Sequence, residues 1–220
     1  MRICPRFLAP LLLALAVAGS ARAQDLSVAA ATDTPPPSEL AAAVSALLAS
    51  NAVPVTRGEN TLEFWWVKDL PRKADGSGDA WSSVPDGALV GAVRLANAMT
   101  DIRGLAVKPG VYTLRFALQP QDGDHTGVSP YREFLLLAPA GADVSPDPLG
   151  YKGAVALSKK TTGRSHPSTL SLDPPSATAE PGTVVTNEAG HKAVVFRVPA
   201  AGGRSITFGL ILVGTIEHQM

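Results

Sequence analysis

The feature that most constrains the fold is a succession of short apolar runs separated by turns. In residues 111–119 apolar and polar side chains alternate with the two-residue period of a strand. The same analysis predicts strands at residues 61–68, 88–95, 102–107, 131–138, 154–157, 168–172, 184–187, 192–198 and 205–217. The 19 prolines and 20 glycines favour turns between them. Because these strands do not alternate with helices, we expect an all-β fold, a two-sheet antiparallel sandwich of immunoglobulin-like or jelly-roll type.

One short amphipathic helix is expected before the strands. Ser38 is a good N-cap residue, and Asn51 can end the helix in a left-handed conformation. Between them an apolar stripe follows the helical spacing and consists of Leu40, Val44, Leu47 and Leu48. The preceding residues 24–37 are small and polar, end in three prolines, and predict a flexible linker. Residues 38–220 are expected to form a single domain.

The N-terminus predicts export. Arg2 and Arg6 precede an apolar run over residues 8–19, and Ala21-Arg22-Ala23 matches an A-x-A cleavage site. Residues 1–23 are therefore interpreted as a signal peptide that leaves a periplasmic or secreted bacterial protein beginning at Gln24. The apolar run at residues 206–216 has the length of a strand, so no transmembrane segment is expected in the processed chain.

Removal of the signal peptide would change the chemistry of the chain. Cys4 is the only cysteine, so the processed protein would have no disulfide and no thiolate. The signal peptide carries three arginines and no acids, which leaves 16 basic against 19 acidic side chains. With no basic patch of the size that nucleic acid requires, we expect no nucleic-acid partner.

The sharpest local motif is an acidic loop beginning at Asp122. It is similar to the calcium loop of EF-hand proteins, and the resemblance implies these ligands: Asp122, Asp124 and Thr126 through side-chain oxygens, Val128 through its carbonyl, and Glu133 through a bidentate carboxylate. Thr126 replaces the usual acid or amide, Pro130 opposes an exit helix, and both flanks have strand patterns. The alternatives are a calcium loop on a hairpin, with calcium the one cofactor suggested, and a solvated acidic loop.

Two further segments are candidate binding sites. In the run 64–66 alternation places Trp65 on the face opposite its neighbours, so an exposed Trp65, joined by Trp81, would offer a platform for a sugar ring. The alternative is that these aromatics pack in the core. Residues 159–166 form a short basic stretch that could hold a phosphate or carboxylate, or could simply be solvated.

Export, an all-β fold and the lack of a catalytic motif favour a non-enzymatic binding or accessory module of the bacterial envelope or extracellular space. Its expected partner is a glycan or an envelope protein. Two alternatives stay open: a structural component of an envelope assembly, and an extracytoplasmic hydrolase. Hydrolysis would depend on the densest polar group of the sequence, which is Asp122, Asp124 and His125.

Overall fold

The structure is a computed structural model that describes residues 25–74, 81–120, 131–174 and 178–215. The predicted signal peptide, residues 1–23, and most of the predicted calcium loop lie outside the described residues. Strands account for 44% of the chain and helices for 13%, which confirms the all-β class.

The described residues form twelve strands and two α-helices. The strands are β1 Leu26–Val28, β2 Val53–Arg57, β3 Asn60–Trp66, β4 Leu89–Leu95, β5 Met99–Thr100, β6 Ala106–Val107, β7 Gly110–Leu118, β8 Glu133–Pro139, β9 Ser168–Asp173, β10 Val184–Thr186, β11 Lys192–Ala200 and β12 Arg204–Val213. The helices are α1 Ala42–Ser45 and α2 Gly150–Thr162.

Ten of these strands belong to one antiparallel sheet, in the order β1-β2-β3-β4-β7-β8-β9-β12-β11-β10. Strands β5 and β6 pair separately. Strand β1 lies at one edge of the large sheet and contacts β10 and β11 at the opposite edge. The sheet therefore curls and nearly closes on itself. The predicted two-sheet sandwich is not confirmed, because β9 pairs with both β8 and β12 and joins the strands into one sheet.

The inner face of the curled sheet holds an aromatic core. Trp66 stacks on Phe64 with ring centroids 5.4 Å apart and lies 4.7 Å from Phe196. Phe208 meets Trp66 edge-on at 5.4 Å. Offset and edge-on pairs of this kind add to the large apolar area that aromatic rings bury. Side chains of β3, β11 and β12 therefore meet in this core.

The outer face of the sheet is covered by segments that are not part of it. Ile102, in the loop after β5, packs against Ala193 and Ile211 of β11 and β12. Helix α2 packs against β7, β8 and β9, where Ala154 contacts the cluster around Leu136. The sheet consequently buries side chains on both faces.

The N-terminal region differs from its prediction. The predicted helix over residues 38–51 is not confirmed, since α1 is a single turn and its N-cap is Ala41. The Ser38 hydroxyl contacts the Glu39 carboxylate instead of a helix N–H, and Leu48 forms an isolated bridge with Val67, the residue after β3. The segment predicted as a flexible linker contains β1, which pairs with β2.

Helix α2 corrects a second prediction, because residues 154–157 were expected to form a strand. Ala154 and Ser158 are its buried residues, a spacing of four that fits a helix. Gly163, with φ 63°, ends it in the left-handed conformation, after Lys159 and Lys160 in the last turn. In the described part of the chain, no helix has both the length and the apolarity needed to cross a membrane.

Candidate functional site

A buried ion pair fixes the segment that leads into α2. Arg115 on the outer face of β7 is fully buried, and its Nε and Nη2 donate to the Asp143 carboxylate at 2.8 and 2.7 Å. Its Nη1 donates to the carbonyls of Gly87 at 2.9 Å and Asp147 at 2.8 Å, and Nη2 also donates to the Ser145 carbonyl. All five guanidinium N–H groups thus have acceptors, which ties the segment before α2 to the sheet.

The first residue of α2 lies very close to the turn before β4. The backbone N–H of Leu149 donates to the Gly87 carbonyl at 3.2 Å. Gly87 has φ 75°, and a Cβ atom at this position would lie 2.6 Å from the backbone nitrogen of Gly150. Only glycine combines this conformation with this approach, so Gly87 sets the position of the helix start.

The other end of α2 is fastened to β8 and β9. The Ser158 hydroxyl accepts from the backbone N–H of Ser168 and donates to its carbonyl, both at 3.1 Å. Thr161 donates from Oγ1 to the Leu137 carbonyl at 2.8 Å. Both ends of the helix are therefore held, and the space beneath it has fixed walls.

A cleft of about 270 Å³ lies between α2 and the outer face of the sheet. We call it the α2 cleft. Helix α2 contributes Tyr151, Val155 and Lys159, which share one face because they are four residues apart. Ala117 and Leu136 lie among the sheet residues that line it. Its volume is near the lower end of the range of about 300–1,000 Å³ for small-molecule sites.

The polar groups of the α2 cleft gather toward the end of the helix. The bonds between Ser158 and Ser168 place the last turn of α2, with Lys159, beside the start of β9. Arg103 donates from Nη2 to the carbonyl of Pro167, which lies just before that strand. The α2 cleft therefore combines an apolar floor with a polar end.

Asp101 orients Arg103 at this polar end. The Asp101 carboxylate is buried and accepts the backbone N–H groups of Arg103 at 3.0 Å and Leu105 at 2.9 Å through Oδ1. Through Oδ2 it accepts from Arg103 Nη2 at 3.3 Å and from the backbone N–H of Thr169 at 3.4 Å. One carboxylate therefore holds Arg103 and the cleft-lining part of β9 together.

Two buried polar atoms of the α2 cleft lack a partner. They are Nε of Arg103 and Oγ1 of Thr169, for which the described residues provide no hydrogen bond. Thr169 is only 6% exposed. Buried polar atoms in proteins are nearly always hydrogen-bonded. Both atoms are closed off from the space of the cleft, so they contact a ligand only after a rotation of their side chains.

The predicted aromatic platform takes a different form in the structure. Trp65 is fully buried on the outer face, where its Nε1 donates to the Thr34 carbonyl at 2.8 Å and the Arg94 guanidinium lies 5.7 Å from its ring centroid. Trp81 is partly buried and stacks on Phe116 with ring centroids 4.9 Å apart. The structure does not bring Trp65 and Trp81 together as one exposed surface, because Trp81 packs against the inner core.

The predicted calcium loop stays a prediction. Asp122, Asp124, Thr126 and Val128 lie outside the described residues. Glu133 is described as the first residue of β8, and its Oε2 accepts the backbone N–H of Arg132 at 3.1 Å. Within the described ranges, no group of three or more His, Cys, Asp or Glu side chains could hold a metal ion.

The basic stretch 159–166 contributes to the candidate site. Lys159, Ser165 and His166 line the α2 cleft. Sequence analysis missed Arg103 and Thr169, which no local motif connects with this stretch. Arg103 is brought to the α2 cleft only by the fold of the loop between β5 and β6, so its role could not be found from spacing.

Relatives of known function would provide an independent assignment of the site. Comparisons of the chain with protein-family models, curated proteins and solved structures give no significant match.

Proposed function

We propose that this protein is an exported, non-enzymatic binding protein whose ligand site is the α2 cleft. The observation that carries the proposal is the cleft itself, a preformed space with an apolar floor and a few polar groups at one end. Small-molecule sites usually have this composition. The proposed location is the periplasm or the extracellular space of a bacterium, on the basis of the signal-peptide pattern in residues 1–23.

The composition of the α2 cleft favours binding over hydrolysis. Among the described residues that line it, none carries a carboxylate, whereas glycoside hydrolysis commonly uses a pair of them. Lys159, Ser165 and His166 are its polar lining groups from the basic stretch. Ser165 and His166 are sequence neighbours, and no G-x-S-x-G elbow presents this serine as a nucleophile.

The α2 cleft also favours a small molecule over the glycan or envelope protein that the sequence suggests. A sugar platform needs an exposed aromatic face, and Trp65 is fully buried. A cleft of about 270 Å³ can enclose a small ligand. A role in an envelope assembly stays a prediction from the sequence.

Binding of a neutral apolar fluorophore, N-phenyl-1-naphthylamine, tests the proposal directly. We expect saturable, one-site binding to the purified protein, measured as an increase in the fluorescence of the bound fluorophore. Val155→Trp fills the α2 cleft from the helix side and should weaken binding by at least about tenfold, equivalent to about 1.4 kcal/mol. The matched control is Ala156→Trp, which adds a tryptophan at the next, exposed position of α2.

The circular dichroism spectrum and unfolding temperature of each variant establish that the fold is intact. Equal loss of binding in both variants would place the fluorophore elsewhere and overturn the assignment of the α2 cleft. Absence of saturable binding to the unsubstituted protein would overturn the proposed function.

A further inference from the structure

The charge of the α2 cleft points to the chemistry of its ligand. Lys159 and Arg103 are its cationic lining residues, and no acidic side chain is among the described lining residues. Lys159 has no acidic partner within the described part of the chain. An anion entering the α2 cleft would therefore meet a positive group that has no ion-pair partner among the described residues.

Arg103 adds little net positive charge to the α2 cleft, and its guanidinium is held in a fixed orientation. Its Nη2 is bound to the Asp101 carboxylate at 3.3 Å and to the Pro167 carbonyl, so its positive charge is already balanced. Its Nε is buried and has no partner among the described residues. Because Asp101 also binds the backbone of Thr169, the guanidinium and the unpartnered Thr169 hydroxyl are held in the same corner. Arg103, Thr169 and Lys159 all line the α2 cleft.

We infer that the α2 cleft binds an organic monocarboxylate with a short apolar body, an inference that rests on the proposed function. Among the described lining residues Arg103 is paired with Asp101, which leaves Lys159 as the cation without an acidic partner, and one such cation matches a monoanion better than a phosphate dianion. The carboxylate accepts from Lys159 Nζ, and rotation of the buried Thr169 side chain toward the cleft would add Oγ1 as a second donor. Charge-assisted bonds of this kind are the strong ones in a partly buried site.

The apolar body of the ligand lies along the floor of the α2 cleft. Ala117 and Leu136 provide the sheet side of this floor, and Val155 provides the helix side. Ala117 and Leu136 are each 3% exposed. The space is small, so the expected ligand is closer in size to octanoate than to a long-chain fatty acid.

Competition with N-phenyl-1-naphthylamine tests the inference with a matched pair of ligands, octanoate and octan-1-ol. These share the same chain length and differ in the charge of the head group. We expect octanoate to displace the fluorophore at a concentration at least about tenfold lower than octan-1-ol. Lys159→Gln should remove this preference. Lys160→Gln is the control, because both lysines are exposed on the same helix turn and Lys160 does not line the α2 cleft.

The outcomes separate the inference from the proposed function. If octan-1-ol competes as well as octanoate while the fluorophore still binds, the carboxylate assignment is wrong and the apolar binding site stands. If Lys160→Gln weakens octanoate binding as much as Lys159→Gln does, the effect comes from the overall charge of the protein. The assignment of Lys159 is then overturned. If the unsubstituted protein does not bind the fluorophore, both proposals fail.

Discussion

Replacement of Asp143 by asparagine tests whether the buried ion pair holds the segment before α2 against the outer face of the sheet. Asp143→Asn keeps the size of the side chain and removes its negative charge. Arg115 is fully buried and Asp143 is 1% exposed. In the variant, the guanidinium would keep its carbonyl acceptors on Gly87 and on the segment before α2. It would lose its only counter-charge among the described ion pairs.

The expected loss of folding stability arises because a buried cation is left without its counter-ion. Removal of one partner of a buried pair costs about 3–5 kcal/mol. Thr113 also donates to the Asp143 carboxylate, and this bond would weaken. For a protein of this length, about 2–4 °C per kcal/mol corresponds to a fall in unfolding temperature of about 6–20 °C. Simultaneous replacement of both partners, Arg115→Met with Asp143→Leu, should recover part of that loss, because no unpaired charge remains. Recovery is incomplete because the carbonyls that accept from Arg115 lose that donor.

Urea unfolding followed by tryptophan fluorescence measures the free energy of unfolding. The midpoint should fall while the slope stays the same, since the surface exposed on unfolding does not change. The matched control is Glu39→Gln, at an exposed ion pair in which Glu39 and Arg94 are 3.6 Å apart. Exposed pairs contribute about 0–1 kcal/mol. If Asp143→Asn costs no more than Glu39→Gln, Arg115 is not held as a buried cation and the argument is wrong.

Four further predictions address other parts of the chain. Gly87→Ala should destabilise the protein by at least about 1–2 kcal/mol in urea unfolding, because alanine is strained at φ 75° and its Cβ would clash with Gly150. Thr169→Val should weaken octanoate binding and yet raise the unfolding temperature, because an unsatisfied buried hydroxyl costs about 1–3 kcal/mol; a lower temperature would contradict this. Burial raises the pKa of Tyr112 above its ordinary 10.0, so the free energy of unfolding should fall as the pH rises through the folded pKa, and Tyr112→Phe should reduce that fall. If the predicted calcium loop binds Ca²⁺, a concentration about 100 times the Kd should add about 2.7 kcal/mol to the free energy of unfolding relative to EDTA, and Asp124→Ala should abolish the difference.

Strand alternation predicts which residues share a face, and it succeeds for β7. Leu114 and Phe116 lie in the inner core, and Thr113 and Arg115 lie on the opposite face. Alternation does not predict whether that opposite face meets solvent. Both Thr113 and Arg115 are fully buried, because a segment about 28 residues further along the chain covers them through Asp143. The partner of a buried charge at such a separation leaves no local pattern.

The helices show where local pattern and tertiary structure disagree. Leu40, Val44 and Leu48 are buried, as the helical spacing predicts, while Leu47 is 39% exposed. The spacing therefore identified the buried residues but not the helix, because the chain after α1 turns so that Leu48 forms a bridge with Val67, just after β3. For α2 the useful signal was present in Gly163 and the two lysines before it, which are typical of a helix end. The prediction of a strand at residues 154–157 was based on apolar content alone, which does not distinguish a short strand from a helix.

The segment 143–162 buries part of the outer face of the sheet, and its helix α2 also forms one wall of the candidate site. Stability and binding are therefore linked. The first part of this segment is pinned by Arg115 and Asp143. Its second part, α2, is held at its start by the bond from Leu149 to Gly87 and near its end by the hydroxyl bonds of Ser158 and Thr161. A ligand in the α2 cleft would contact the sheet and the helix together, so it should stabilise the packing of α2 on the sheet. Hydrogen exchange of α2 amides should then slow on addition of octanoate more than exchange in β11, whose amides are fixed by long pairing with β12. Equal slowing in both elements would indicate stabilisation of the whole fold and not of the helix over its cleft.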